Sequence, residues 1–233
     1  MITVATWNVL HRVHADNYAN EIAAQWPVEA DRIAAVTGVV ARRSERVIAL
    51  QEVSGDQLAS LRAALPTSTF HTLRYPRIPN PRRIASVLAE RAEYLVLIVD
   101  GPGKEVAAAS FATDPGKGAL AVEVEGVLVV ATHVTGDFRR DGQFADLAAL
   151  AATAPAVLLG DFNADRATVG AALGAAFTVA GLAPDSEPTR PRTDGAKSQF
   201  IDHVVVRGIA AHDAVVEDVA GTSDHNLVRA IVG

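Results

Sequence analysis

Short runs of alternating or wholly apolar residues recur along the chain and end in polar dipeptides, a pattern that predicts many strands with a few helices between them. Ile2 to Trp7 alternates as a strand does, and Val47–Leu50 reads as a short buried strand. Between them Pro27 to Arg43 predicts a helix, with proline in its first turn and an apolar stripe at Ala30, Ile33, Val36 and Val40. Asp56 to Leu65 predicts a short helix stopped by Pro66, and Phe70 to Tyr75 a strand. Pro76, Pro79 and Pro81 then force a loop, because proline cannot donate to a ladder. From Ser86 to His133 the pattern is all-β, with strands expected at Ser86–Ala89, Tyr94–Val99, Glu105–Ala112, Ala119–Val124 and Val127–His133. Turns are expected at Gly101-Pro102-Gly103, Asp114-Pro115-Gly116 and Glu125-Gly126. A helix at Gly142–Ala152, a buried strand at Ala156–Leu159, an irregular polar loop from Pro184 to Gln199, and strands at Ile201–Val206, Ala214–Glu217 and Leu227–Val232 complete the reading.

These strands, with helices inserted once or twice per half, predict an α/β sandwich: two mixed or antiparallel sheets packed face to face, helices outside. The 233 residues contain no repeat, linker or break in composition, so a single domain over 1–233 is expected. At 49% hydrophobic and 21% charged residues the chain can bury a sizeable core, which excludes a disordered or collagen-like protein. The longest apolar runs, such as Tyr94–Val99, fall far short of the roughly 20 residues a membrane span requires. No signal peptide is visible at the N-terminus, which points to the cytoplasm. The chain has no cysteine, so a metal would have to sit on oxygen or imidazole ligands. A net charge of −6 argues against a protein that coats nucleic acid through its overall field. Locally, however, Arg74, Arg77, Arg82 and Arg83 fall in a stretch without acids, from Phe70 to Ala89.

Polar residues stand at the ends of apolar strands: Asn8, Glu52, His133 and Asp161 each follow one, and Asp224-His225 precedes the last. Loops at strand ends carry function on a rigid frame. A lone buried carboxylate costs several kcal/mol unless it is paired or metal-bound. Glu52, Asp161 and Asp224, with Asn8 and Asn163, make a hard oxygen set suited to Mg2+ or Mn2+. His133 and His225 suit proton donation or hydrogen bonding to a phosphoryl oxygen, and Asp202 is placed to hold His225 in one tautomer. His11, His14, His71, His203 and His212 read instead as solvent-facing residues without a role. No nucleophilic serine elbow and no phosphate-cradling Gly-Lys-Ser/Thr loop occur.

Thr6-Trp7-Asn8, Leu50-Gln51-Glu52, Thr132-His133, Gly160-Asp161-Phe162-Asn163, Ile201-Asp202-His203 and Ser223-Asp224-His225 follow one another as in the endonuclease/exonuclease/phosphatase superfamily, which the chain resembles from first strand to last. The resemblance implies a four-layer α/β sandwich of the deoxyribonuclease I type and a Mg2+-dependent phosphoester hydrolase. It makes Glu52 the principal metal ligand, with Asn8 beside it and Asp224 joining directly or through water. Asp161 would orient or deprotonate the attacking water or share a second metal, with Asn163 fixing that water or the phosphate. His225, held by Asp202, would contact a non-bridging oxygen, and His133 would stabilise the pentacovalent state or assist the leaving oxygen. His133 fits the nuclease and phosphatase branches better than the abasic-site enzymes. Arg74, Arg77, Arg82 and Arg83 are the candidate substrate rim, with Arg190 and Arg192 opposite. A nuclease or phosphodiesterase acting on nucleic acid leads, followed by a phosphatase or phosphodiesterase on a small phosphoester, then a non-catalytic binding module; a monomer is expected.

Overall fold

Most strands bury side chains on both of their faces, and the layering explains why. The computed structural model describes residues 1–18, 20–153, 155–191 and 199–233. Among them, twelve strands form two six-stranded sheets, the first ordered β11-β12-β1-β2-β4-β3 and the second β5-β6-β7-β8-β10-β9. The first sheet comprises β1 (Ile2–Asn8), β2 (Val47–Ser54), β3 (Thr69–Arg74), β4 (Glu93–Val99), β11 (Ala211–Glu217) and β12 (Leu227–Val232). The second comprises β5 (Lys104–Phe111), β6 (Asp114–Val124), β7 (Val127–His133), β8 (Ala156–Asp161), β9 (Thr178–Val179) and β10 (Asp202–Arg207).

Alternate residues divide between two cores. Val4, Val47, Leu95 and Leu97 of the first sheet meet Leu120, Val129, Val157 and Leu159 of the second in the central layer. The opposite face of the first sheet, with Trp7, Ile48, Leu50 and Val96, is covered by α3 (Glu29–Ala41) and α4 (Gly55–Ala64) through Val36, Val40, Leu58 and Leu61. The outer face of the second, with Ala121, Val130 and Leu158, is covered by α5 (Arg140–Leu150) and α6 (Arg166–Leu173) through Phe144, Leu147, Val169 and Leu173. Helix, sheet, sheet, helix is the expected four-layer α/β sandwich.

Within each sheet one pair is parallel: β1 with β2, joined through α3, and β7 with β8, joined through α5. All four strands end at one mouth of the sandwich, where Asn8, Glu52, His133 and Asp161 stand. Ligands gather outside the carboxyl ends of parallel strands because the connections there diverge.

Two local expectations fail. Ser86–Ala89 is not a strand: Ala89 and Glu90 donate their amides to the Asp56 carboxylate and Leu88 to Ser86 Oγ, so side chains take the donors a ladder would use. Asp114-Pro115-Gly116 is not a turn either; β6 begins at Asp114, and the chain reverses at Ala112-Thr113. Four elements were not anticipated: α1 (Arg12–Tyr18), α2 (Asn20–Gln25), α6 and β9. Helix α1 buries Arg12, Asp16 and Asn17 and so lacks the apolar stripe that marks a helix in sequence. Among the described residues no helix is long and apolar enough to cross a membrane.

Candidate active site

Asn8 ends β1 with its side chain buried, and its Oδ1 accepts the Leu10 amide. Its Nδ2 lies 3.2 Å from Glu52 Oε1 and 3.1 Å from Asp161 Oδ2, so one carboxamide bridges the acids of the two sheets. Glu52 occupies an irregularity in β2 between Leu50 and Val53 and has a positive φ of 58°. A non-glycine residue there is strained, and such strain gathers at functional sites. The conformation re-aims the carboxylate, whose Oε2 accepts the His11 amide at 3.1 Å. Asp161 ends β8; its Oδ1 accepts the amide of Asn163, another positive-φ residue, whose Nδ2 donates to the Val134 carbonyl.

Two imidazoles face these acids. His133 Nε2 is 3.4 Å from Asp161 Oδ2 and 3.9 Å from Glu52 Oε1, and Lys117 Nζ touches the same ring. The loop before β12 is fixed by Ser223 Oγ, which donates to the Asn8 carbonyl at 2.7 Å and accepts the His225 amide, and by Trp7 Nε1, which donates to the His225 carbonyl. His225 Nδ1 then lies 2.9 Å from Asp202 Oδ2, and its Nε2 is 3.9 Å from Asp161 Oδ2. Asp224 Oδ2 accepts from both Nε and Nη2 of Arg190.

The electrostatics follow from this arrangement. Burial pushes the Glu52 and Asp161 carboxyls up, but nearby positive groups outweigh it: His14, His133, Lys117 and His225 for Glu52, and His133, His225 and Lys117 for Asp161. Both are held well below the usual carboxylate range, fully ionised. Burial pulls His225 down, yet the charges of Asp202 and Asp224 prevail and raise it to about 9, so its ring is an imidazolium at neutral pH. The same packing that charges His225 discharges His11, which burial lowers to about 4.

Glu52, Asp161, Asp224, Asn163, His133 and His225 all line one cleft of about 690 Å3, while Asn8 and Asp202 support it from behind. The donor chemistry fits a divalent cation. Two ionised, buried carboxylates offer hard oxygens, and Asp224 Oδ1 is buried without a hydrogen-bond partner. Asn8 departs from its expected part as a ligand, because it turns its NH2 rather than its oxygen to the carboxylates. Asp161, Asp202 and His225 also lie close enough together to suggest a metal group. Asp202 takes Nδ1 and the ring carries a proton, which a cation would have to displace to use this group.

Of the expected arginine rim, Arg77 and Arg82 line the cleft, whereas Arg74 and Arg83 do not. Two anchors hold the proline loop: Asn17 Nδ2 donates to the Asn80 carbonyl and its Oδ1 accepts the Arg82 amide, while Arg77 pairs with Asp114 and donates its amide to the Pro115 carbonyl. Arg190 lines the opposite side, and Arg192 lies outside the described residues. The histidines expected in solvent divide. His212 is exposed, and His71 is partly buried on the edge strand β3. His203 is buried against Phe162 with Nε2 2.9 Å from the Ala164 carbonyl, and His11 is buried and donates its own backbone amide to Glu52. His14 lines the cleft. Lys117 and Glu93 were missed as well. Only the β6–β7 register, which sets Gly118 opposite His133, brings Lys117 to the site.

A profile of the Endonuclease/Exonuclease/phosphatase family matches residues 5–225. Among solved structures, TDP2 of D. rerio complexed with a single-strand DNA product is similar over 100% of this chain and 98% of its own, at 13% identity and a TM-score of 0.70. The mannosyl-6-phosphatase of Bacteroides thetaiotaomicron is similar over the whole of both chains, at 15% identity and a TM-score of 0.68. ANGEL2, a 2',3'-cyclic phosphatase, is similar over 99% of this chain and 95% of its own, at 10% identity and a TM-score of 0.67. No curated protein matches the chain at the level of sequence. These superpositions establish a shared fold, and the family profile spans almost the entire chain: the protein belongs to the endonuclease/exonuclease/phosphatase family and is a metal-dependent phosphoester hydrolase.

Proposed function

We propose that the protein is a Mg2+- or Mn2+-dependent hydrolase of a small, nucleotide-sized phosphoester. One observation carries this reading: the convergence of Glu52, Asp161, Asp224, His133 and His225 on a single cleft of about 690 Å3. That size is typical of small-ligand sites, which run roughly 300–1,000 Å3. The rim adds support, since Arg77, Arg139 and Arg190 are each paired with an acid rather than arrayed along a backbone track.

Glu52 and Asp224 would hold the ion, with Asn8 spacing Glu52 from Asp161. A bound divalent cation supplies charge neutralisation on the phosphoryl oxygens. Asp161 and the Oδ1 of Asn163 orient the attacking water; Asn163 keeps that oxygen for the cleft because its Nδ2 is committed to Val134. Asp161 is a poor proton acceptor while its cationic neighbours are uncompensated. An incoming phosphate anion cancels part of their field and raises its basicity. His225, locked by Asp202, donates to a non-bridging oxygen, and His133 with Lys117 meets the leaving oxygen.

A polymer substrate is favoured by a different observation. Phe138 is 86% exposed between Gly136 and Arg139, which line the cleft, and single-stranded bases stack on such rings. Purified protein is assayed with Mg2+ or with EDTA against small phosphate esters, single-stranded DNA, duplex DNA and RNA. The expected result is metal-dependent turnover of the small esters with little polymer cleavage. Efficient polymer cleavage without small-ester turnover transfers the assignment to a nuclease.

A further inference from the structure

Helix α1 forms a wall of the cleft that the strand-end chemistry does not use. His14 lines this wall with its side chain 25% exposed. Its Nε2 lies 3.0 Å from Glu93 Oε2, and Glu93 is sealed at 2% exposure, the first residue of β4. The ring is fixed further by stacking: His14 and Tyr18 are 6.5 Å apart at 27°, and the Arg82 guanidinium stands 5.2 Å above the Tyr18 ring. Asn17 clamps the chain at Asn80 and Arg82, so the outer end of this stack is held too.

A carboxylate-held imidazole thus opens to the cleft from α1, as His225 does under Asp202 from the strand ends. A buried carboxylate fixes which ring nitrogen is committed and which remains for a ligand. In His14, Nε2–H is committed to Glu93; the Glu52 and Glu93 carboxylates outweigh burial and favour the imidazolium, which keeps a second N–H at Nδ1. We propose that His14, held by Glu93, is a substrate-binding residue that donates from Nδ1 to a third non-bridging oxygen, and so makes the enzyme a hydrolase of terminal phosphate monoesters. This rests on the phosphoesterase reading above and narrows its substrate class.

The chemistry behind the choice is the number of oxygens to satisfy. A phosphodiester has two non-bridging oxygens and one negative charge; a monoester has three, with close to two charges at neutral pH. His225 answers one from the strand ends and the cation that Glu52 and Asp224 would hold answers another, while the His133–Lys117 pair is spent on the leaving oxygen. The third needs a donor from another direction, and His14 is the cleft histidine that α1 supplies.

The test uses two esters that share one leaving group, p-nitrophenyl phosphate and bis-p-nitrophenyl phosphate, with Mn2+ and with inorganic phosphate as inhibitor. His14→Gln should lower kcat/KM on the monoester about tenfold, the worth of one charge-assisted hydrogen bond, mainly through KM. The diester should change by less than about threefold, and the inhibition constant of phosphate should rise in step with the monoester KM. Glu93→Gln, which loosens the ring without removing it, should give the same selectivity with a smaller loss. Should His14→Gln fold poorly because Glu93 loses its partner, the His14→Gln/Glu93→Gln double variant removes that charge and should keep the selective loss. Equal losses on both esters, or an unchanged phosphate inhibition constant, overturn the proposal. Wild-type protein active on the diester and inert on the monoester also overturns it and leaves the phosphoesterase reading intact. Protein inert on every phosphoester with metal present removes both.

Discussion

The two sheets carry the same pairing pattern, yet they deliver different chemistry. Read in the order β11-β12-β1-β2-β4-β3 and β5-β6-β7-β8-β10-β9, each has a single parallel pair at its centre and antiparallel neighbours on both sides. In the second sheet the end of the parallel pair sets His133 opposite Asp161 in register. In the first, Asn8 is opposite Gln51, whose side chain turns away to hydrogen-bond Thr6. The acid comes one residue later, at Glu52. A shift of one residue would point that side chain to the wrong face. The irregularity in β2 and the positive φ of Glu52 undo the shift and bring its carboxylate to the same mouth as Asp161. Matching frames therefore do not need matching sequences. One sheet presents its acid by regular pleat and the other by local strain.

Removing each acid breaks the comparison most severely, and in different ways. Asp161→Asn keeps the size of the side chain and its hydrogen bond from Asn163, but loses the charge that orients water. Turnover should fall by roughly a thousandfold or more with the fold intact, as circular dichroism would report. Glu52→Gln should weaken Mn2+ binding in titration calorimetry far more than Asp161→Asn does, because Glu52 is the expected ligand. Equal metal affinity in the two variants would make the sheets interchangeable and end the division of labour.

The sequence displays more of one half than of the other, for the same reason. Asp161 and Asn163 stand in a short strand-ending motif, and the apolar run before them announces where they point. Asp202 and His225 were legible as a pair only because an acid and an imidazole each lie beside a late strand. The deeper shell was not legible. Glu93 opens an apolar strand and reads as a boundary residue, while Lys117 enters by cross-strand register alone. His14 lies on a short helix whose buried positions mix Val13 and Ala15 with Arg12, Asp16 and Asn17, so no apolar periodicity flags it. Such positions are set by contacts across long sequence separations, which pleat and helical period do not encode. The arginine loop illustrates the converse. Its composition suggested a rim of four; Asn17 anchors Arg82 and Asp114 anchors Arg77, and those two meet the cleft.

Protonation sharpens the contrast by a few kcal/mol. In metal-free protein the folded state raises His225 to about 9, above its ordinary 6.5. The folded form binds that proton more tightly, so this stabilisation is complete below pH 6.5 and is lost as pH rises from 6.5 to 9. His11, lowered to about 4 from 6.5, has the opposite effect. Unfolded chains take up the proton first, and stability is lost as pH falls from 6.5 towards 4. A change of about 2.5 in either pKa is worth on the order of 3 kcal/mol. Thermal unfolding in EDTA should therefore show a maximum near pH 6.5. His225→Asn should flatten the alkaline limb and His11→Asn the acidic one, each leaving the other in place.

The smallest effect lies where the halves are stitched across the cleft. Asp114, buried at the start of β6, receives Arg77 at 3.1 Å from the loop that leaves β3, and Arg139 at 3.5 Å from the segment before α5. Each sheet thus lends one half-exposed guanidinium to a shared carboxylate in the second sheet. The guanidiniums are partly solvated, so removing one while the other still pairs the buried Asp114 should lower the melting temperature only slightly, whereas removing both would leave that charge uncompensated. Their value lies in orientation: a guanidinium held by a buried acid presents its remaining donors to an anion in the cleft. Arg77→Ala and Arg139→Ala should each raise KM by roughly two- to fivefold with kcat preserved, a loss below about 1 kcal/mol. Arg74→Ala, at the exposed end of β3 and outside the cleft, is the matched control and should leave KM unchanged. A rise for Arg77 without one for Arg139 would place substrate against the first sheet alone. A rise for Arg74 would extend the binding surface beyond the cleft along the edge of that sheet, as a polymer requires.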